Sequence, residues 1–163
     1  MKHTIYLGLG SNLGDRMGNL RASVAALRPA VEPLALSPVY ETAPWGYEEQ
    51  DDFLNQVIRA ETDLLPDELL KYVKAIERQL GRRPRFRYGP REIDVDILFY
   101  DDLHMESFGL NVPHPRIAER AFVLVPLADL APDLHHPTLD KTVQELLAEV
   151  DTSGISQYQE IEK

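Results

Sequence analysis

The chain has 163 residues, enough for one domain with one substantial core, and its 44% hydrophobic and 27% charged content is ordinary for a globular protein. No run approaches 18 apolar residues and there is no Cys, which excludes a membrane-spanning helix, a disulfide framework and thiolate chemistry. A net charge of -10 argues against nucleic-acid binding through a general surface field.

The opening MKHTIYLGLG carries an apolar stretch too short for a signal peptide and predicts a strand over Thr4–Leu9. With no export signal, the cytoplasm is the expected location. Asn12–Asp15 is turn-like, and Leu20, Val24 and Leu27 give Asn19–Leu27 a helical spacing that Pro29 and Pro33 end. Leu34–Tyr40 predicts a strand, and ETAPWGYEEQDD a long loop. Phe53–Thr62 predicts a strand with Phe53, Asn55, Val57 and Arg59 on one face and Leu54, Gln56, Ile58 and Ala60 on the other. Pro66 opens a helix at its first turn; Leu69, Leu70, Val73, Ile76, Glu77 and Leu80 follow at helical spacing, and Gly81 is a natural C-cap. An Arg-rich loop leads to a strand over Ile93–Tyr100 and a turn at Asp101-Asp102. Helices are expected in Phe122–Leu130 and Thr142–Val150; residues 151–163 form a polar tail without a clear pattern. The order strand, helix, strand, strand, helix, strand matches an α+β, ferredoxin-like βαββαβ sandwich with additional C-terminal strands and helices, as a single domain over residues 1–163.

Asp94 and Asp96 are the most informative residues. In a strand they point to one face with Cα atoms ~7 Å apart, while Ile93, Val95 and Ile97 point to the other. Two carboxylates side by side repel unless a cation lies between them, and all-oxygen ligation suits magnesium. A solvated sheet face is the plainer reading, but Asp is disfavoured in strands, so the pair needs a reason. Six of the twelve Arg fall between 78 and 91: Arg78, Arg82, Arg83, Arg85, Arg87 and Arg91. Such a cluster in an acidic chain marks a local anion site with forked contacts, or else a solvated helix end and loop. Carboxylates for magnesium beside arginines are the parts of phosphoryl chemistry, and a loop with Gly81, Pro84, Gly89 and Pro90 could close over ATP.

Other motifs carry less. There is no G-x-x-x-x-G-K-[ST]. Gly8-Leu9-Gly10-Ser11-Asn12-Leu13-Gly14 approaches a dinucleotide fingerprint, but its third Gly is one residue late and the element order is wrong, so it reads as a tight turn after the first strand. His114, pinned between Pro113 and Pro115, suits a fixed contact to phosphate. His135 and His136 read as loop residues, and His3 and His104 receive no role.

Four segments then resemble one family: YLGLGSNLGDR (6–16), SPVYETAPWGYEEQDDFLNQV (37–57), ERQLGRRPRFRYGPREIDVDILFYDD (77–102) and VPHPRIAERAFVLVPLADLAPDL (112–134). It is the 6-hydroxymethyl-7,8-dihydropterin pyrophosphokinase family of folate biosynthesis. The resemblance implies a ferredoxin-like, monomeric, cytoplasmic enzyme that moves pyrophosphate from ATP to the pterin hydroxymethyl group and releases AMP. It implies that Asp94 and Asp96 bind two magnesium ions and that Arg82 and Arg91 contact the phosphates and stabilise charge during transfer. It places His114 and Arg120 on ATP, the strand near Ile97 against the adenine, and Glu77 near the site. It places Thr42, Ala43, Pro44 and Trp45 along the pterin edge, Asn55 on its polar groups, and Phe53 and Phe122 on its two faces. A flat heterocycle does need aromatic faces and an amide that donates and accepts, although core packing is the ordinary reason for buried aromatics. Tyr88 and Ala43 stand where many members have Trp and Pro, and no role follows for Arg83, Arg85 or Arg87. A ferredoxin-like RNA-binding module using the Arg loop is the alternative; it would need an RNP-type aromatic pattern that the strands lack. A retired relative that only binds pterin would not be expected to keep Arg82, Arg91, Asp94, Asp96 and His114 together.

Overall fold

β1 (His3–Ser11) runs along the middle of an antiparallel sheet in the computed structural model, which describes residues 2–43, 50–81, 92–107 and 109–159. It is followed by α1 (Arg16–Leu27), β2 (Val31–Leu36), β3 (Tyr40–Thr42), β4 (Phe53–Thr62), α2 (Pro66–Gln79) and β5 (Asp94–Tyr100). A small hairpin of β6 (Met105–Ser107) and β7 (Leu110–Val112) comes next, then α3 (Ala121–Leu130), α4 (Val143–Leu147) and β8 (Ile155–Gln157). The main sheet runs β5-β1-β4-β3-β8, and β2 also pairs with β4.

β2 and β3 are one expected strand broken in two. β2 lies against residues 58–62 of β4 and β3 against residues 53–55. The strand expected over Leu34–Tyr40 fails between them because Pro38 has no N–H and Ser37 turns its side chain to the ladder: Ser37 Oγ accepts the Val57 N–H at 2.9 Å. Pro33, expected to help end the first helix, lies inside β2, beside a register shift that an edge strand tolerates. That helix starts at Arg16 rather than Asn19 because Asp15 caps it, its Oδ1 accepting the Gly18 N–H at 3.1 Å. At α2, Pro66 occupies the first turn and Glu68 Oε1 accepts the Leu65 N–H at 2.9 Å. α4 stops at Leu147, and part of the polar tail forms β8 against β3.

Alternation on the strands separates two apolar layers. Leu7 and Leu9 of β1, Leu54 and Ile58 of β4, and Val95 and Ile97 of β5 pack with Leu20 of α1 and Val73 and Ile76 of α2. Tyr6, Val57 and Leu98 face the other way and pack with Val123, Leu124 and Leu127 of α3 and Leu146 of α4. A bulge in β5 adjusts this pattern: Tyr6 pairs with Phe99 and Leu7 with Ile97, so Leu98 is extra. Leu98 and Phe99 therefore both enter the α3 layer, and Tyr100 returns to the α2 layer. Among the described residues no helix is long and apolar enough to cross a membrane.

Candidate active site

The α3 face of β1 carries two glycines instead of side chains. Gly8 lies between Asp96 of β5 and Val57 of β4; Gly10 lies between Asp94 and Asn55. A methyl group at position 10 would sit 3.1 Å from Asn55 Oδ1 and 3.6 Å from Phe53 Cδ1, and one at position 8 would sit 3.4 Å from Leu98 Cδ2. Bare backbone thus floors a cleft of about 260 Å³ between an acidic rim and an amide-and-aromatic rim. The tight turn expected over residues 8–14 is corrected accordingly. Gly8 and Gly10 are strand residues, and only Gly14, with φ +74°, supplies turn geometry. Gly at i and i+2 in an otherwise good strand was the available signal, because glycine inside a strand marks a close approach to backbone.

On the acidic rim, Asp94 and Asp96 are half-buried and line the cleft, while Ile93, Val95 and Ile97 enter the core. Ile97 is therefore not brought to the cleft: strand alternation points it at the α2 layer, away from the aspartates. Glu77 lies behind β5. It is 3% exposed, and its Oε2 accepts the Val95 N–H at 2.8 Å on the open edge of the strand, between the two aspartates. Lys74 Nζ, 3.2 Å from Glu77 Oε1, reaches the cleft wall; nothing in its helical spacing distinguished it from a solvated lysine.

His114 and Arg120 face the acidic pair from the segment that precedes α3. The His114 N–H donates to Leu98 O at 3.0 Å, and its Nδ1 accepts the Arg116 N–H at 3.3 Å, which leaves Nε2 to carry the proton. Burial holds its pKa below the usual histidine value; the Asp96 charge opposes this, and Arg120 and Arg116 reinforce it. Arg120 Nη1 is 4.0 Å from Asp96 Oδ2, and Arg120 Nε is buried without a hydrogen-bond partner among the described residues. An orphaned guanidinium donor beside a cleft is the feature expected where an anion is to be received.

On the opposite rim, Asn55 Nδ2 donates to Thr42 Oγ1 at 2.8 Å, which fixes the amide with Oδ1 over Gly10. Phe53, Phe122, Thr42 and Ala43 also line the cleft. The Arg120 guanidinium lies 5.6 Å from the Phe122 ring centroid, which ties the aromatic wall to the anion-facing side. Of the residues singled out from sequence, Thr42, Ala43, Phe53, Asn55, Asp94, Asp96, His114, Arg120 and Phe122 share this cleft. Pro44, Trp45, Arg82 and Arg91 lie outside the described residues.

Paired carboxylates facing Arg and His across bare backbone are suited to transferring a phosphorus-bearing group, where positioning and charge neutralisation supply most of the catalysis. The comparisons agree with that class. Residues 6–132 match the family described as 7,8-dihydro-6-hydroxymethylpterin-pyrophosphokinase (HPPK). The chain belongs to this family of diphosphotransferases. It is 44% identical over 146 residues to the 2-amino-4-hydroxy-6-hydroxymethyldihydropteridine pyrophosphokinase of Aquifex aeolicus, covering 90% of this chain and 91% of that protein. It is 45% identical over 156 residues to the protein of the same name from Methylorubrum extorquens, covering 94% and 98%. Its fold resembles that of wild-type Plasmodium falciparum HPPK-DHPS, solved with pterin and p-hydroxybenzoate. The TM-score is 0.72 at 18% identity, covering 91% of this chain and 42% of that one.

Proposed function

We propose that the chain transfers pyrophosphate from ATP to the hydroxymethyl oxygen of 6-hydroxymethyl-7,8-dihydropterin, giving AMP and the pterin diphosphate in folate biosynthesis. The observation that carries this reading is the glycine floor. It puts an anion-and-cation rim and a flat aromatic pocket within one cleft, as a reaction between a nucleotide and a planar acceptor requires.

The pterin lies between Phe53 and Phe122, with its polar edge against Asn55 and the backbone of Thr42 to Trp45. Asn55 is pre-set by Thr42, so little side-chain freedom is lost on binding. Asp94 and Asp96 fit magnesium: both carboxylates are half-exposed on one strand face, and no third His, Cys, Asp or Glu among the described residues joins them. A site with two protein carboxylates suits an ion that completes its shell with water and substrate phosphates. Asp94 and Asp96 would hold two magnesium ions, which would supply neutralisation of phosphate charge. His114 offers its Nε2 proton, and Arg120 its unpartnered Nε, to phosphate oxygens. Arg82 and Arg91 add charge stabilisation during transfer. The hydroxymethyl oxygen gives up its proton to solvent and bonds to the β-phosphorus as the bond from that phosphorus to the α-phosphate oxygen breaks, and AMP leaves.

Incubation with ATP, magnesium and the reduced hydroxymethylpterin should yield AMP and the pterin diphosphate. Formation of ADP, or no transfer at all, would refute the assignment. Asp96→Ala should abolish nearly all turnover with the circular dichroism spectrum unchanged; a fully active variant would remove Asp96 from metal binding.

A further inference from the structure

We propose that Asn12 and Arg16 are positioning residues for the acceptor pocket. From the turn after β1 and from the first residue of α1 they hold the chain where it enters β4, and so set Phe53 and Asn55 over the glycine floor. The inference rests on the pterin reading of that pocket. Neither residue lines the cleft.

Asn12 is 1% exposed, and its Nδ2 donates to Gln50 Oε1 at 2.7 Å and to the Asp51 carbonyl at 3.0 Å. Arg16 Nη1 donates to the Asp52 carbonyl at 2.9 Å and to Glu41 Oε2 at 2.7 Å. Three successive residues, 50 to 52, are thus gripped from the junction of β1 and α1, immediately before Phe53. Among the described residues, cross-strand pairing does not hold them: β3 first meets β4 at Phe53, and β1 first meets it at Leu54. Side chains supply the restraint that a ladder supplies elsewhere.

The same guanidinium joins the two flanks of the pocket. Glu41 precedes Thr42, the acceptor for the Asn55 amide, and Asp52 precedes Phe53. One cation therefore ties the end of β3 to the start of β4 at the point where both contribute to the pocket. The contact is charge-assisted and three-quarters buried on the arginine side, which makes it stronger than a surface pair. The turn itself is stiff: Asn19 Nδ2 donates to Leu13 O at 2.9 Å, and Asp15 caps α1. The Tyr158 ring lies 5.8 Å from the Arg16 guanidinium, and the Tyr158 N–H donates to Val39 O at 2.8 Å, so the residue that follows β8 covers the clasp.

Steady-state kinetics of the full chain test this. Arg16→Ala should raise KM for the hydroxymethylpterin about tenfold, the scale of one lost charge-assisted bond, while KM for ATP stays within twofold. Arg16→Lys keeps a donor in reach and should recover most of the loss. Amides of Asp52–Asn55 should exchange with deuterium faster in Arg16→Ala than in the parent. Asn12→Ala should raise the pterin KM in the same selective way, and it decides the matter if Arg16→Ala does not fold. Unchanged pterin KM in folded variants, or equal rises in both KM values, would overturn the positioning role while leaving the pterin reading intact. A parent protein that does not use the pterin overturns both.

Discussion

Gly10→Ala adds one methyl group to the cleft floor. Its Cβ would lie 3.1 Å from Asn55 Oδ1, where ordinary contacts begin at 3.4 Å, so the amide must tip by a few tenths of an ångström. Asn55 has little room to do so: it is 7% exposed and its Nδ2 is bound to Thr42 Oγ1 at 2.8 Å. Replacing glycine in a strand stabilises the fold by roughly 0.5–1 kcal/mol, and an off-rotamer Asn55 costs about the same. The two nearly cancel, so Tm should move by no more than about 4 °C. Recognition has no such compensation. A misdirected amide loses about one hydrogen bond to the pterin, or roughly tenfold in KM for that substrate, with KM for ATP nearly unchanged. Paired measurement of both KM values and of Tm by circular dichroism checks this. If pterin KM stays within twofold, Asn55 does not read the acceptor; a fall of ~10 °C in Tm would instead make Gly10 a packing residue.

Glu77→Ala leaves the buried Val95 N–H without its carboxylate and should lower stability by about 1–3 kcal/mol, read as an earlier midpoint in urea; an unshifted midpoint would mean that edge does not need it. Phe122→Ala removes one aromatic wall and should weaken the pterin roughly tenfold while sparing far-UV circular dichroism. His136 is buried, and its Nδ1 accepts the Thr138 and Leu139 N–H groups, which requires the unprotonated nitrogen. Burial, then the charges of His135 and His104, holds its pKa below 6.5 in the folded state. The unfolded chain therefore takes up the proton first, so the stabilisation is complete above about pH 6.5 and declines as pH falls toward the folded pKa. Tm should drop between pH 7 and pH 5, and His136→Phe should flatten that slope; an unaltered slope would clear His136 of the effect.

Local patterns carried much of this architecture. The β4 boundaries follow from a run without Gly or Pro between Asp-rich segments, and the placement of Asp94 and Asp96 opposite Val95 and Ile97 follows from a period of two. What escaped depended on distant partners. The break at Ser37 exists because a hydroxyl replaces a ladder bond from β4, and β8 exists because β3 offers an edge to a weakly patterned segment. Gly8 and Gly10 read as turn formers because glycine signals either a bend or a close approach, and only the flanking strands distinguish the two. The bond from Arg16 to Glu41 spans 25 residues and has no periodic signature.

The extra residue at Leu98 makes β5 a strand with two parities. Up to Ile97, alternate residues face the α2 layer; beyond the bulge the count shifts by one. Deleting Leu98 would close the ladder: Leu7 would still meet Ile97 and Tyr6 would still meet Phe99, so the aspartates, Phe99 and Tyr100 would keep their sides. Adding a residue between Asp96 and Ile97 without a second bulge would instead turn the aspartates into the apolar layer. A change of length in β5 is thus asymmetric in effect: losing the extra residue removes one apolar side chain from the α3 layer, whereas gaining one before it reverses a face. A relative with a regular β5 would still hold both aspartates over the glycine floor.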